Sequence, residues 1–410
     1  MMIRNHTLKT AIISLIVFAL IMLTLMNCSY IPDYEPILPI PKIYIHTTNG
    51  VPIVSKENYV NATFSLSGEG VYDNISETKI RIRGRGNSTW AAPKKPYRLN
   101  FNTAISLFGL PADRNWVLLA NYYDQTHLFN AVAFELGHRL NMPFTNHSFF
   151  VELYINNSCQ GLYLLTEHLS RNVALENNDM LMELDVNFDE DFKFYSDIIN
   201  LPVMMQNPST QAGLDRAKVV WKNVENTLFG DVYENAPNIL DSNGGWRELF
   251  DIQSIMEYIL IYELTGNLEP YYHPKSFYTR YTANDGKIHF GPIWDFDYAW
   301  IMYNNNPEAV SWIYYREGSN LSNRYSAGWK FLGRFFDDPK FVRQYKQYSN
   351  SVIGKLDVNR FIDSLAAVLE PYAEKDYKIW DKSYNYDVQI VWLKHFFNRK
   401  FNAFNNYIKN

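Results

Sequence analysis

The hydrophobic period changes once along this chain, and that change limits the folds open to it more than any other feature. From Ile43 to Phe101 the segments KIYIHT, NATFSLSG, TKIRIRGRG and KPYRLNF alternate apolar with polar residues or carry β-branched and aromatic ones, with Asn, Gly and Ser between them. A period of two marks half-buried antiparallel strands. In DQTHLFNAVAFELGHRL the spacing turns helical: Leu128, Val132, Leu136 and Leu140 share one face, Asp124 is the expected N-cap, and Pro143 lies beyond the end. FFVELYI, the turn NNSCQG and LYLLTEHL then predict a hairpin. DIQSIMEYILIYEL, FVRQYKQYSNSVI and VNRFIDSLAAVLEPYAEKDYKIW follow as helices, interrupted by the hairpin-like KSFYTRYTANDGKIHFGPIW. The expected class is α+β in two lobes, a β-rich portion with one helix over 43–170 and a mainly helical portion over 171–410.

Residues 1–27 stand apart from this pattern. Arg4 and Lys9 give a positive start, residues 11–26 are almost all apolar, and Cys28 follows directly. The run is short for a membrane span and fits a signal-peptide core. LMNC resembles a loose lipobox, so Cys28 is a candidate lipidation site and the chain is expected to be exported to the cell envelope as a membrane-anchored lipoprotein. Residues 28–42 carry Pro32, Pro36, Pro39 and Pro41 and read as an extended tether. With Cys28 lipidated, Cys159 has no partner in the chain and is expected to be structural.

Composition narrows the function classes. The chain has 38 basic against 43 acidic residues and no basic tract, which argues against a nucleic-acid partner. Aromatic residues make up 16%, with 30 tyrosines; a tyrosine-rich core is the plainer reading, and sugar or peptide binding the alternative.

The phosphate-loop, zinc-helix and nucleophile-elbow patterns are all missing. Two polar clusters remain. In RIRGRGNSTWAAPKKPYRLNF, Arg81, Arg83, Arg85, Lys94, Lys95 and Arg98 crowd around a glycine turn. Such a turn suits an anion, and it equally suits a charged edge hairpin. In the second, Asp295 and Asp297 of GPIWDFDYAW follow an apolar strand, with Glu269 and Lys275 upstream on a loop after a helix. Carboxylates two apart at a strand end can ligate a hard cation such as magnesium, or can cap turns. Glu269 can act as a base or pair with Lys275.

Taken in order, IRIRGRGNSTW with KKPYRLNF, NYYDQTHLFNAVAFEL, VELYINNSCQGLYLLTEHL, YELTGNLEPYYHPKSFY and GPIWDFDYAW resemble the spore coat protein H (CotH) kinase family, over about residues 43–397. The resemblance implies an atypical protein-kinase-like fold with ATP and magnesium between a small β-rich lobe and a helical one. It implies that Lys94 or Lys95 binds phosphate, with Arg83 nearby, that Glu167 lies where the chain crosses between lobes, and that Asp295 and Asp297 hold the metal. Where better-known members have an aspartate as presumed base this chain has Glu269, and the asparagine that follows in them is absent, the chain reading Lys275 and Ser276. The leading expectation is phosphate transfer from ATP to an exported or surface protein. The alternative is a catalytically weak or inactive kinase-like surface protein acting in binding or envelope assembly. A glycosidase-like use of Glu269 and Asp295 is a third.

Overall fold

The computed structural model describes residues 39–169, 173, 175–176, 178–230, 245–272, 274–300 and 326–410. The expected signal segment, Cys28 and most of the tether lie outside the described residues. Seven strands close into a barrel: β1 (Lys42–Thr47), β2 (Val60–Ser67), β3 (Ile75–Gly84), β4 (Tyr97–Ile105), β5 (Asp113–Leu119), β6 (Phe149–Ile155) and β7 (Ser158–Glu167). Their order is β1-β2-β3-β4-β5-β7-β6, closed by a parallel pairing of β1 with β6. The alternation foreseen for β1 and β2 appears as strict alternation of buried with less buried residues. Ile43, Ile45, Phe64, Ile82, Leu99, Phe101, Trp116 and Leu118 fill the barrel, Phe64 meeting Phe101 edge-on at 5.0 Å.

β5 and β7 are buried on both faces. Leu118 and Leu165 point into the barrel, while Val117, Leu119, Leu162 and Leu164 join the main core outside it. That is why LYLLTE reads as a continuous apolar run rather than an alternating one. The β6–β7 hairpin turns on Asn156 and Asn157, both left-handed (φ 49° and 66°), the backbone that asparagine tolerates best after glycine.

A single turn, α1 (Ser88–Ala91), follows the glycine turn, and α2 (Phe129–Arg139) carries the predicted stripe of buried leucines and valine. Leu128, not Asp124, occupies the N-cap position; Asp124 lies a turn earlier, and its carboxylate accepts from the Phe129 N–H at 2.7 Å. The helix also ends before Pro143, where Asn141 turns left-handed (φ 58°).

The remainder is less purely helical than its sequence suggested. A five-stranded antiparallel sheet comprises β8 (Met180–Leu184), β9 (Lys193–Tyr195), β10 (Pro202–Asn207), β11 (Phe277–Thr282) and β12 (Lys287–Phe290), ordered β12-β11-β8-β10-β9. Around it lie α3 (Gln211–Phe229), α4 (Trp246–Leu249), α5 (Ile252–Thr265), α6 (Glu269–Tyr272), α7 (Ala327–Phe335), α8 (Pro339–Val352), α9 (Asn359–Ile379) and α10 (Tyr386–Lys409). The fold class is α+β, and Ile40–Asn410 form one compact unit. Asp251 caps α5 through the Ser254 N–H at 2.7 Å, and Gly266 ends it in the left-handed region (φ 60°). The aromatic content goes largely into the core: Tyr258, Phe277, Phe290, Phe331 and Phe335 pack edge-on, tilted or stacked between α5, the sheet and α7. α9 lies against β7 and ties the barrel to the helices.

Candidate functional site

The left-handed end of α5 drops the chain into a turn that the buried Asn267 holds. Its Nδ2 donates to the Asp295 carbonyl at 3.0 Å, and its Oδ1 accepts from the Glu269 N–H at 3.1 Å. The loop of Glu269 is thereby fastened to the loop of Asp295. Asp295 itself is left-handed (φ 62°), a conformation aspartate tolerates better than most residues. Ser276, just before β11, donates from Oγ to Asp295 Oδ2 at 3.2 Å and from its N–H to Asp185 Oδ2 at 3.0 Å. Asn130, in the first turn of α2, donates from Nδ2 to Asp297 Oδ1 at 2.6 Å and accepts from the Phe296 N–H at 3.0 Å. Three separated stretches thus bring Asp185, Glu269, Asp295 and Asp297 to the wall of one cleft of about 690 Å³.

Lys56, Arg83, Arg85 and Arg98, all from the barrel, also line this cleft. Arg85 lies over the Trp294 ring at 5.4 Å. Carboxylates from the sheet and its loops and cations from the barrel therefore share one polar space. Burial pushes Glu269 up to about 8, with Asp295 adding to the rise and Lys275, 3.6 Å away, opposing it. Burial and then Asp295 push Asp297 up to about 7, against the hydrogen bond from Asn130. Asp185 rises to about 6 through burial, opposed by the N–H groups of Asn187 and Ser276. Carboxylates this costly to ionise gain most from a nearby cation. Glu269 Oε2 is buried with no hydrogen-bond partner among the described residues. Among those residues no group of three or more His, Cys, Asp or Glu side chains is placed to hold a metal ion by itself. The donor set fits magnesium, which takes one or two carboxylates and completes its shell with water and phosphate oxygens.

Of the residues singled out in the sequence, Arg83, Arg85, Arg98, Glu269, Lys275, Asp295 and Asp297 meet in the cleft. Arg83 is braced there, donating from Nη1 to the Lys56 carbonyl and lying over the Tyr59 ring at 5.1 Å. The structure places Lys94, Lys95, Glu167 and Arg81 outside the lining of the cleft. Lys94 has no exposed surface; its ammonium is held by Asp376 Oδ1 at 2.6 Å and by the Leu162 carbonyl, joining β7 to α9. Its role is to pair a buried carboxylate, because a charge so placed needs a permanent partner. Lys95 donates to the Trp90 carbonyl at 2.8 Å and lies over that ring at 5.2 Å, outside the cleft lining. Glu167 ends β7 beside the cleft residues His168 and Leu169, but its carboxylate takes both the N–H and Nδ1 of His147, at 2.9 and 2.6 Å.

Asp185, Asn130 and Ser276 are cleft residues that the sequence reading missed. Asp185 ends the apolar run MLMEL much as Asp295 follows IHFGPIW, and that shared pattern was the available signal. Ser276 supplies a hydroxyl to Asp295 close to where an asparagine was expected.

The family model that matches this chain is described as CotH kinase protein and covers residues 80–402. The match begins within β3, so β1 and β2 complete the barrel from outside the matched stretch. No curated protein matches the chain.

Proposed function

The chain belongs to the CotH kinase family, and from that premise we propose that it transfers the terminal phosphate of ATP to a hydroxyl of a protein, with magnesium, in the cleft described above. The barrel with α2 serves as the smaller lobe of a kinase-like pair, and the five-stranded sheet with its helices as the larger. The observation that carries this reading is the set of carboxylates, Asp185, Glu269, Asp295 and Asp297, in one cleft with Lys56, Arg83 and Arg85. Phosphoryl transfer asks a protein mainly for positioning and charge neutralisation. Arg83, Arg85 and Lys56 bind the phosphate chain, and Asp295 and Asp297 hold the metal. Magnesium, when bound, offsets the charge of the phosphate oxygens.

Glu269 accepts the proton of the acceptor hydroxyl. A carboxylate pushed up to about 8 suits that task near neutral pH better than an ordinary one. Lys275, 3.6 Å from it, orients it. The same pair, 3.6 Å apart, is the observation favouring the second reading, a kinase-like surface protein that binds without turnover. The positive start, the apolar run and Cys28 support export and lipid anchoring, and hence a substrate in the cell envelope.

The test is incubation of the domain with labelled ATP and magnesium, beside Asp295→Asn, with thermal shift on nucleotide followed in parallel. Incorporation lost in the variant is expected. A nucleotide shift without incorporation favours the binding reading, and neither signal in the wild type overturns both.

A further inference from the structure

We propose that Asn130 is the residue that positions Asp297 for a divalent cation, and that its neutrality is what suits it to the task. The inference rests on the reading above, in which Asp297 holds the metal.

Asn130 is 1% exposed, and its amide is fully engaged. Nδ2 gives one hydrogen to Asp297 Oδ1 at 2.6 Å and lies 3.3 Å from Asn121 Oδ1, while Oδ1 accepts from the Phe296 N–H at 3.0 Å. One side chain therefore fixes both the backbone and the carboxylate of the Asp295–Asp297 loop. Asn121 braces it in turn: this residue is left-handed (φ 47°), and its Nδ2 donates to the His127 carbonyl at 2.9 Å. Asp297 Oδ2 accepts no hydrogen bond from another described residue, and Asp297 lines the cleft.

Three buried carboxylates away from the cleft are held by cations, while Asp124 and Glu225, which do not line it, are held by neutral donors. Asp376 pairs with Lys94 at 2.6 Å, Glu263 with Lys400 at 2.5 Å and Asp338 with Arg247 at 2.8 Å. Such a partner cancels the charge it holds. Asn130 aims one oxygen of Asp297 without cancelling its charge, so the attraction for a second, external cation survives. Ser276 does the same for Asp295. Partners of metal-ligating carboxylates commonly contribute 10–100-fold to metal affinity.

The experiment is titration of the domain with manganese alone, followed by electron paramagnetic resonance of the free ion. Wild type is compared with Asn130→Ser, Asp297→Asn and Asn146→Ser. Asn146 is also buried, but it donates to Thr166 and to the Glu167 carbonyl, neither residue lining the cleft, so it reports the effect of destabilisation alone. Asn130→Ser is expected to weaken manganese about 10–100-fold, with Asn146→Ser unchanged. Should Asn130→Ser fail to fold, Asn121→Gly keeps the left-handed backbone comfortable while removing the brace, and is expected to weaken the metal in the same direction by less. If Asp297→Asn loses manganese while Asn130→Ser and Asn121→Gly keep wild-type affinity, the positioning role is overturned and the metal reading stands. If Asp297→Asn binds as wild type does, or wild type binds none, both fall.

Discussion

Replacing Asp376 by alanine leaves the Lys94 ammonium in the interior with the Leu162 carbonyl as its remaining hydrogen-bond partner. In the intact protein burial lowers the affinity of this lysine for its proton, and Asp376, 2.6 Å away, opposes that effect. Breaking a buried pair from one side costs about 3–5 kcal/mol, because the survivor is an uncompensated charge. Lys94→Met should cost a similar amount, moderated by the Leu162 N–H that still donates to Asp376 Oδ1 at 2.9 Å. The double change Lys94→Met with Asp376→Leu removes both charges and is expected to lie within a few kcal/mol of wild type. For a unit spanning Ile40–Asn410, an unfolding entropy near 2 cal/mol/K per residue converts the single-variant losses into roughly 4–6 °C of Tm. Thermal unfolding of the four proteins, with nucleotide-induced shift measured on each, tests this. The refuting result is a Lys94→Met protein that melts with wild type yet loses the nucleotide shift, which would put Lys94 on the phosphate.

Three further outcomes follow from the same geometry. Asp185, Asp297 and Glu269 are raised to about 6, 7 and 8, so between about pH 5 and 8 the folded protein binds more protons than the unfolded chain. Metal-free stability should therefore fall as pH rises across that window, by up to about 1.4 kcal/mol per pH unit for each group titrating; scanning fluorimetry in chelator checks it, and magnesium should lessen the fall. Glu269→Gln should reduce phosphate transfer by about 10²–10⁴ while leaving the nucleotide shift intact, whereas an equal loss of both would make Glu269 a structural or binding group. Gly161→Ala would place a methyl 2.2 Å from Asp376 Oδ1 at φ 86°, so urea unfolding should show a loss above about 1 kcal/mol.

Much of the barrel was legible in the sequence because its strands bury one face, and a period of two survives wherever the other face meets solvent. β5 escaped notice: DRNWVLL is buried on both sides toward its end and carries no alternation. β8 and most of β10 were hidden for the same reason, MLMEL being buried at every position, whereas β9 is only three residues long and too short to show a period. The cleft divides similarly. Glu269, Asp295 and Asp297 stand out as charges amid apolar residues. Asn130 does not, since an asparagine within a helical stripe looks like any polar residue until the loop it grips is folded against it. The lysines misled because charge density in KKPYRLNF is visible in sequence, whereas the aspartate that claims Lys94 lies 282 residues further on.

The closure of the barrel also decides how the protein would carry a mechanical load. β1 is bonded along both edges, antiparallel to β2 and parallel to β6. Just before it, the Pro41 carbonyl accepts from the Glu152 N–H at 2.9 Å, and the Ile40 N–H donates to the Tyr372 hydroxyl of α9 at 3.3 Å. Tension entering along the chain at residue 39 would reach those bonds first and then pull β1 lengthwise against two neighbours, with its ladder bonds lying across the pull and loaded together. The first strand of the barrel would thus be the first to take such a load, shared between its two neighbours.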